Sequence, residues 1–171
     1  MSIVIAYPTI AEERPLELLF ACHDKVRRFT ALAGKLSGHV AQHGADEEAR
    51  EAAASILRYF ELALPHHHAD EEEDVFPALR HLQDIELNRA IDTLLAEHVA
   101  LDLMWQEVRP WLNRIAQGET PASTPVVLPR FVIDYPFHAA REEREVFTAI
   151  KRLPTAVLDL IAQRMRARRG A

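Results

Sequence analysis

An all-α fold, an up-down-up-down four-helix bundle with a short C-terminal helix, is predicted by three features of the sequence. Only five of the 171 residues are glycine, while the helix formers Ala, Leu, Glu and Arg are abundant. Four long segments repeat apolar residues at alternating steps of three and four, the spacing of one helical face. Short breaks at Gly44, near Gln83 and at the stretch GETPAST separate those segments, and short connections make consecutive helices antiparallel neighbours. The length fits a single domain over residues 1–171, with the core bundle spanning about 15–152.

After an extended opening, Pro15 can start a first helix that stops at Gly44. Its seam reads Leu16, Leu19, His23, Val26, Thr30, Ala33. The second helix is expected from Asp46 as N-cap to about Leu82, through Ile56, Phe60, Leu64 and His67. Pro65 removes one backbone hydrogen bond there and is expected to bend it. The third, from about Asp84, carries Ile91, Leu94, His98, Leu101, Trp105, Val108, Leu112 and Ile115, with Pro110 expected to kink or end it. A fourth is expected from Ser123 or Thr124 as N-cap, with Pro125 in its first turn and Leu128, Phe131, Tyr135, His138, Glu142 and Ala149 on its seam. Pro154 opens the short fifth helix, Ala156 to about Arg166, packed across the end of the others.

Composition narrows the function. A net charge of −6 argues against nucleic acid as the main partner. The basic cluster at Arg164 to Arg169 reads as cations complementing the C-terminal end of the last helix. Cys22 is the single cysteine, so no internal disulfide forms and a reducing compartment fits. The opening MSIVIAYPTI lacks the basic lead of a secretory signal, and no apolar run approaches the ~18 residues of a membrane span. A cytoplasmic protein without nucleic-acid or membrane partners is expected.

One stretch occurs twice. Residues 64–79, LPHHHADEEEDVFPAL, return seventy-one residues later as 135–150, YPFHAAREEREVFTAI, sharing Pro-x-His-x-x-x-Glu-Glu-x-x-Val-Phe. Residues four apart lie on the same helical face, so His67 with Glu71, and His138 with Glu142, each present an imidazole and a carboxylate together. His23 and His98 occupy seam positions on the other two helices. Counted from Gly44, His23 lies twenty-one residues back and His67 twenty-three forward, about 32 and 35 Å at 1.5 Å per residue, hence in one layer. Glu71 and His98 stand twelve and fifteen residues from Gln83, again within about one turn. The third connection matches if Pro110 ends its helix near Asn113 and the connecting segment climbs back.

A lone seam histidine is more often a hydrogen-bonded core residue than a ligand. Four at one depth with two acids are different, because buried carboxylates without compensation are costly and no Lys or Arg shares the seams near Glu71 or Glu142. A pair of divalent cations satisfies all six groups. The donors suit iron, manganese or zinc rather than calcium or magnesium. His68 with Glu72 has the same spacing as His67 with Glu71, and alignment with the second copy favours the latter. His39, His43, His66 and His81 read as capping or surface residues, and Asp70 to Asp74 as a solvated face apart from the inward glutamate.

With these residues in place the chain resembles the hemerythrin family and its HHE cation-binding branch, through His23 in ACHDKVRRF, His67 and Glu71 in HHADEEEDVFPAL, His98 in AEHVALDLMW, and His138 with Glu142 in HAAREEREVF. The family's up-down bundle is represented by myohemerythrin. The resemblance implies two non-haem Fe ions with an oxo or hydroxo bridge, spanned by Glu71 and Glu142, and dioxygen or another small diatomic or peroxide ligand. It leaves open a di-iron enzyme acting on peroxide or nitric oxide, or a metal reservoir. Oxygen carriers have two histidines one turn apart on the third helix, whereas here the positions four before and after His98 are Leu94 and Asp102. Water, Asp102 and Tyr135 are the candidates for the position this leaves. Glu97 reads either as a residue orienting a ligand or as a surface glutamate, and Cys22 as a small buried apolar side chain.

Overall fold

Five helices make up the structure, a computed structural model that describes residues 15–170; the expected extended opening lies outside them. Helix α1 (Pro15–His43) begins on a proline, whose missing N–H is unneeded in a first turn. It ends at Gly44, where a φ of 72° places the chain in the left-handed region that a Cβ disfavours. Helix α2 (residues 47–80) is capped as expected by Asp46, which accepts from the Ala49 N–H at 2.9 Å. It is regular over Glu47–Arg58 and then widens twice into π-helical turns, at Tyr59–Ala63 and Asp70–Val75. The first lies just before Pro65, where the Leu64 N–H reaches back to the Tyr59 carbonyl. A wider turn relieves the clash between a proline ring and the preceding turn.

Helix α3 (Ile85–Ala116) is capped by Asp84 and continues past Pro110, so the expected stop near Asn113 does not occur. Pro110 lies on the exposed face, where water can take the freed carbonyl, while Val108, Trp111, Leu112 and Ile115 remain packed on either side. Helix α4 (residues 128–150) starts later than expected, at Leu128 with Pro129 in its first turn, rather than at Ser123 or Thr124. Residues 122–127 form bends and turns instead, so neither expected N-cap opens a helix. Below the centre, α3 spans eighteen residues from His98 to Ala116 and α4 only ten from Leu128 to His138, about 27 against 15 Å. Segment 117–127 makes up the difference by climbing along the bundle. Its lower end is fixed where the Thr120 hydroxyl accepts from the Ala45 N–H at 3.0 Å. Helix α5 (Thr155–Arg168) follows Pro154.

Among the described residues no helix is long and apolar enough to cross a membrane. The core falls into two clusters. One gathers Val26, Phe60, Leu64, Leu101, Trp105, Phe131 and Tyr135. The other gathers Leu19, Val75, Phe76, Leu94, Val146 and Phe147, closed by Ile161 and Met165 of α5. Each of α1 to α4 passes from one cluster into the other through a short polar step, at residues 23, 67–71, 98 and 138–142. Those steps form one buried polar layer.

Candidate metal centre

The structure brings all six residues singled out from the sequence into that layer. His23, His67, Glu71 and Glu142 each offer a ligand atom within 4.8 Å of the others, and so do His98, His138 and Glu142. His23 Nε2 lies 3.0 Å from Glu142 Oε2 and 4.0 Å from Glu71 Oε1. His67 Nε2 is 3.4 Å from Glu71 Oε1. On the other side, His98 Nε2 is 3.3 Å from Glu142 Oε1 and 3.6 Å from Glu71 Oε2, and His138 Nε2 is 3.0 Å from Glu142 Oε1. Both carboxylates thus stand between two pairs of imidazoles. None of the six is more than 5% exposed.

The outer edges of the rings explain the rest of the repeated motif. In the first copy, Glu72 accepts from His98 Nδ1 at 2.6 Å and Phe76 stacks on the same ring. In the second, Glu143 accepts from His23 Nδ1 at 2.9 Å and Phe147 stacks on that ring. Each Glu-Glu pair therefore turns one carboxylate to the centre and uses the other to hold a histidine of a neighbouring helix. The π-helical turns at Asp70–Val75 and Glu143–Phe147 carry both of these outer glutamates. A carboxylate can only accept, so the proton sits on Nδ1 and the Nε2 lone pair faces inward.

Glu97 does the same for His138, at 2.8 Å, and is itself held by Arg141, which makes it a positioning group and not the surface residue its sequence context suggested. Arg27 steadies Glu143 at 2.8 Å. The roles of Glu72 and Glu143 were missed from the sequence, although the repeat marks both: each is the second glutamate of a duplicated pair.

Inside the layer the hydrogen bonding fails. Nine buried side-chain N or O atoms among the described residues lack a partner; eight belong to His23, His67, Glu71, His98, His138 and Glu142. Seven of the eight stand in short contacts between rings and carboxylates that are not aligned as hydrogen bonds; the eighth, His67 Nδ1, belongs to the ring that meets Glu71 through Nε2. Each orphaned group costs about 1–3 kcal/mol, so the layer is a stability deficit that a cation would offset. Burial, then the charge of Glu142, pushes Glu71 well above the usual carboxyl range. Burial acts on Glu142 in the same sense but is overcome by His138, His23 and His98, which hold it well below. His98, despite burial, is raised to about 9 by its contacts with Glu142 and Glu72. Two acids, four inward nitrogens and no lysine or arginine inside the layer fit a pair of divalent cations, which would replace the proton that His98 otherwise holds.

Other candidates are placed elsewhere. His68 stacks on His98 with ring centroids 4.1 Å apart and is held down to about 3 by burial; Glu72 pairs with His98, so the rival His68–Glu72 pair does not form. Asp102 is exposed and accepts from Gln106, while the Tyr135 hydroxyl donates to the Leu101 carbonyl, so neither joins the cluster. Within Asp70 to Asp74, Asp70 and Asp74 are buried, not solvated, and paired with arginines of α5. The basic tail thus has a second role beside the expected helix-end complement, in which Arg169 donates to the Met165 carbonyl at 2.8 Å. Solvent approaches the layer through a recess of about 280 Å³ between α3 and α4, lined by Glu97, Leu101, Met104, Phe137 and His138. The larger groove, about 1020 Å³ around Pro65, Trp105 and Pro110, touches none of the six.

Comparison with known proteins agrees with this arrangement. The family model for Hemerythrin, described as the hemerythrin HHE cation binding domain, matches residues 14–150. A protein of Haemophilus influenzae (strain Rd), described as an uncharacterized protein, is 31% identical over 155 residues, covering 91% of this chain and 90% of the relative.

Proposed function

The chain belongs to the hemerythrin HHE cation-binding family, and on that premise we propose that His23, His67, Glu71, His98, His138 and Glu142 hold two non-haem iron ions that engage dioxygen or a related small ligand. The observation that carries the reading is that seven buried atoms without partners, the four oxygens of Glu71 and Glu142 and the Nε2 atoms of His23, His98 and His138, gather in one layer. When bound, a reduced iron pair supplies two electrons to a small oxidising ligand.

The protein's own residues do the rest. Glu71 and Glu142 neutralise charge and link the two imidazole pairs. Glu72, Glu97 and Glu143 hold the Nδ1 protons of His98, His138 and His23 and so fix the ring orientations. Phe76 and Phe147 wall two of the rings with apolar surface, and the two core clusters keep bulk water away. The recess beside Phe137 and His138 is the approach for a small molecule.

The second reading, a di-iron enzyme turning over peroxide or nitric oxide, is favoured by the donor set. With Asp102 and Tyr135 engaged elsewhere, the protein's donors are four imidazoles and two carboxylates, which leaves positions for exogenous ligands. A test reconstitutes the chain anaerobically with Fe(II), counts the metal and then admits dioxygen. Two irons per chain, with absorption bands that fade on deoxygenation and return on oxygenation, support binding. Sustained consumption of peroxide or nitric oxide supports the enzyme, and fewer than one iron per chain refutes both.

A further inference from the structure

Helix α5 lies beyond the residues matched by the family, 14–150, and its cationic end reaches back to the centre's supports. Asp70 is fully buried and accepts from two guanidinium groups: Arg168 on Oδ1, and Arg169 on Oδ1 at 3.1 Å and on Oδ2. Asp74, also buried, accepts from Arg164 at 3.0 Å and from Arg168 at 2.9 Å. Arg168 further reaches Glu73 at 2.9 Å. A carboxylate buried this deeply requires a paired cation, and these arginines supply it.

The positions of the partners give the arrangement its meaning. Asp70 precedes Glu71 on α2, and Asp74 follows it three residues on. The guanidinium groups therefore grip α2 on both sides of an inward-facing carboxylate. The turn that carries Asp70, Glu71, Glu72 and Asp74 is π-helical, a rare form that recurs at functional sites. Arg168 spans that turn from Asp70 to Asp74, one helical turn apart.

We propose that Arg168 and Arg169 are positioning residues for the metal centre. Through Asp70 and Asp74 they hold the Glu71 turn of α2 in the place that a shared cation needs. Metal retention is thereby set by a helix outside the family's matched region. The inference rests on the proposed metal centre.

The test uses the full chain, loaded anaerobically with Fe(II) and challenged with a chelator, with the metal-free form of each protein unfolded in parallel. Replacing only the arginines strands Asp70 and Asp74 as buried charges, so the main variant is D70N/D74N/R168M/R169M, which removes both sides together. It is expected to keep wild-type helix content by circular dichroism without metal. It is also expected to lose iron at least ten times faster than wild type, with displaced absorption bands. Arg169→Lys, which retains the charge but not the planar fork, is the milder probe, expected to show a smaller acceleration in the same direction. Wild-type retention and spectrum in both variants would reduce the arginines to compensating buried charge and overturn the proposal alone. A wild-type chain that takes up no iron overturns the metal-centre reading, and this inference with it.

Discussion

Replacing Glu71 by Gln keeps the shape of a fully buried side chain and removes its charge, so it separates the cost of the polar layer from its use. Both Glu71 oxygens lack a hydrogen-bond partner and face the equally buried Glu142. Two like unit charges about 4 Å apart repel by ~4 kcal/mol at an effective dielectric of 20. Local relaxation and protonation of one member reduce what survives to about 1–3 kcal/mol, the range for a buried unsatisfied polar group. Metal-free Glu71→Gln is therefore expected to be about 1–3 kcal/mol more stable than metal-free wild type, and each kcal/mol moves the unfolding midpoint of a chain this size by roughly 2–4 °C. With cation present the order reverses. Wild type gains ~2.7 kcal/mol at a free cation concentration one hundred times Kd, whereas the variant has lost a shared anionic ligand and gains less. The assay is thermal unfolding by far-ultraviolet circular dichroism, with chelator and then with anaerobic Fe(II). A metal-free variant less stable than wild type, with an undiminished metal-induced rise, would refute the reasoning and make Glu71 a structural residue.

Three further outcomes are expected. Glu143→Gln removes the acceptor charge from His23 Nδ1 and should weaken iron binding by roughly 10–100-fold in a chelator competition; Glu107→Gln, on the exposed face of α3, should leave it unchanged. His68→Phe preserves the stacking on His98 and should retain the wild-type metal content by elemental analysis, while His67→Phe should not, which separates the two imidazoles that compete in the sequence. Asp46→Ala should lower the stability of α2 in urea unfolding at neutral pH. The Ala49 N–H and His39 hold the Asp46 carboxyl below its usual range, so the contribution is complete above that range and is lost as pH falls through the lowered value. The gap between wild type and variant should accordingly close in acid.

The duplicated motif made the buried polar layer legible. His67, Glu71, His138 and Glu142 follow from the four-residue helical period, and His23 and His98 from seam position and depth along the bundle. These are one-dimensional arguments, and they succeed because a helix converts sequence spacing directly into height and face. Helix starts at Pro15, Asp46 and Asp84 were likewise readable, since caps and prolines act on their own turn. The late start of α4 and the continuation of α3 through Pro110 were not. The first depends on how far segment 117–127 must climb, and the second on packing around a proline whose exposed side meets water.

By itself, then, the sequence determined the helical class, the four-helix order and which imidazoles and carboxylates share a layer. Only the tertiary structure decided what stands behind them. Glu72 reaches His98, Glu143 reaches His23 and Glu97 reaches His138, each across a helix boundary, and Arg168 and Arg169 reach Asp70 from nearly one hundred residues away. No period encodes such partners. A long flexible side chain is placed by the helix it meets, and an acid that reads as solvated along the chain becomes a buried anchor once another helix covers it.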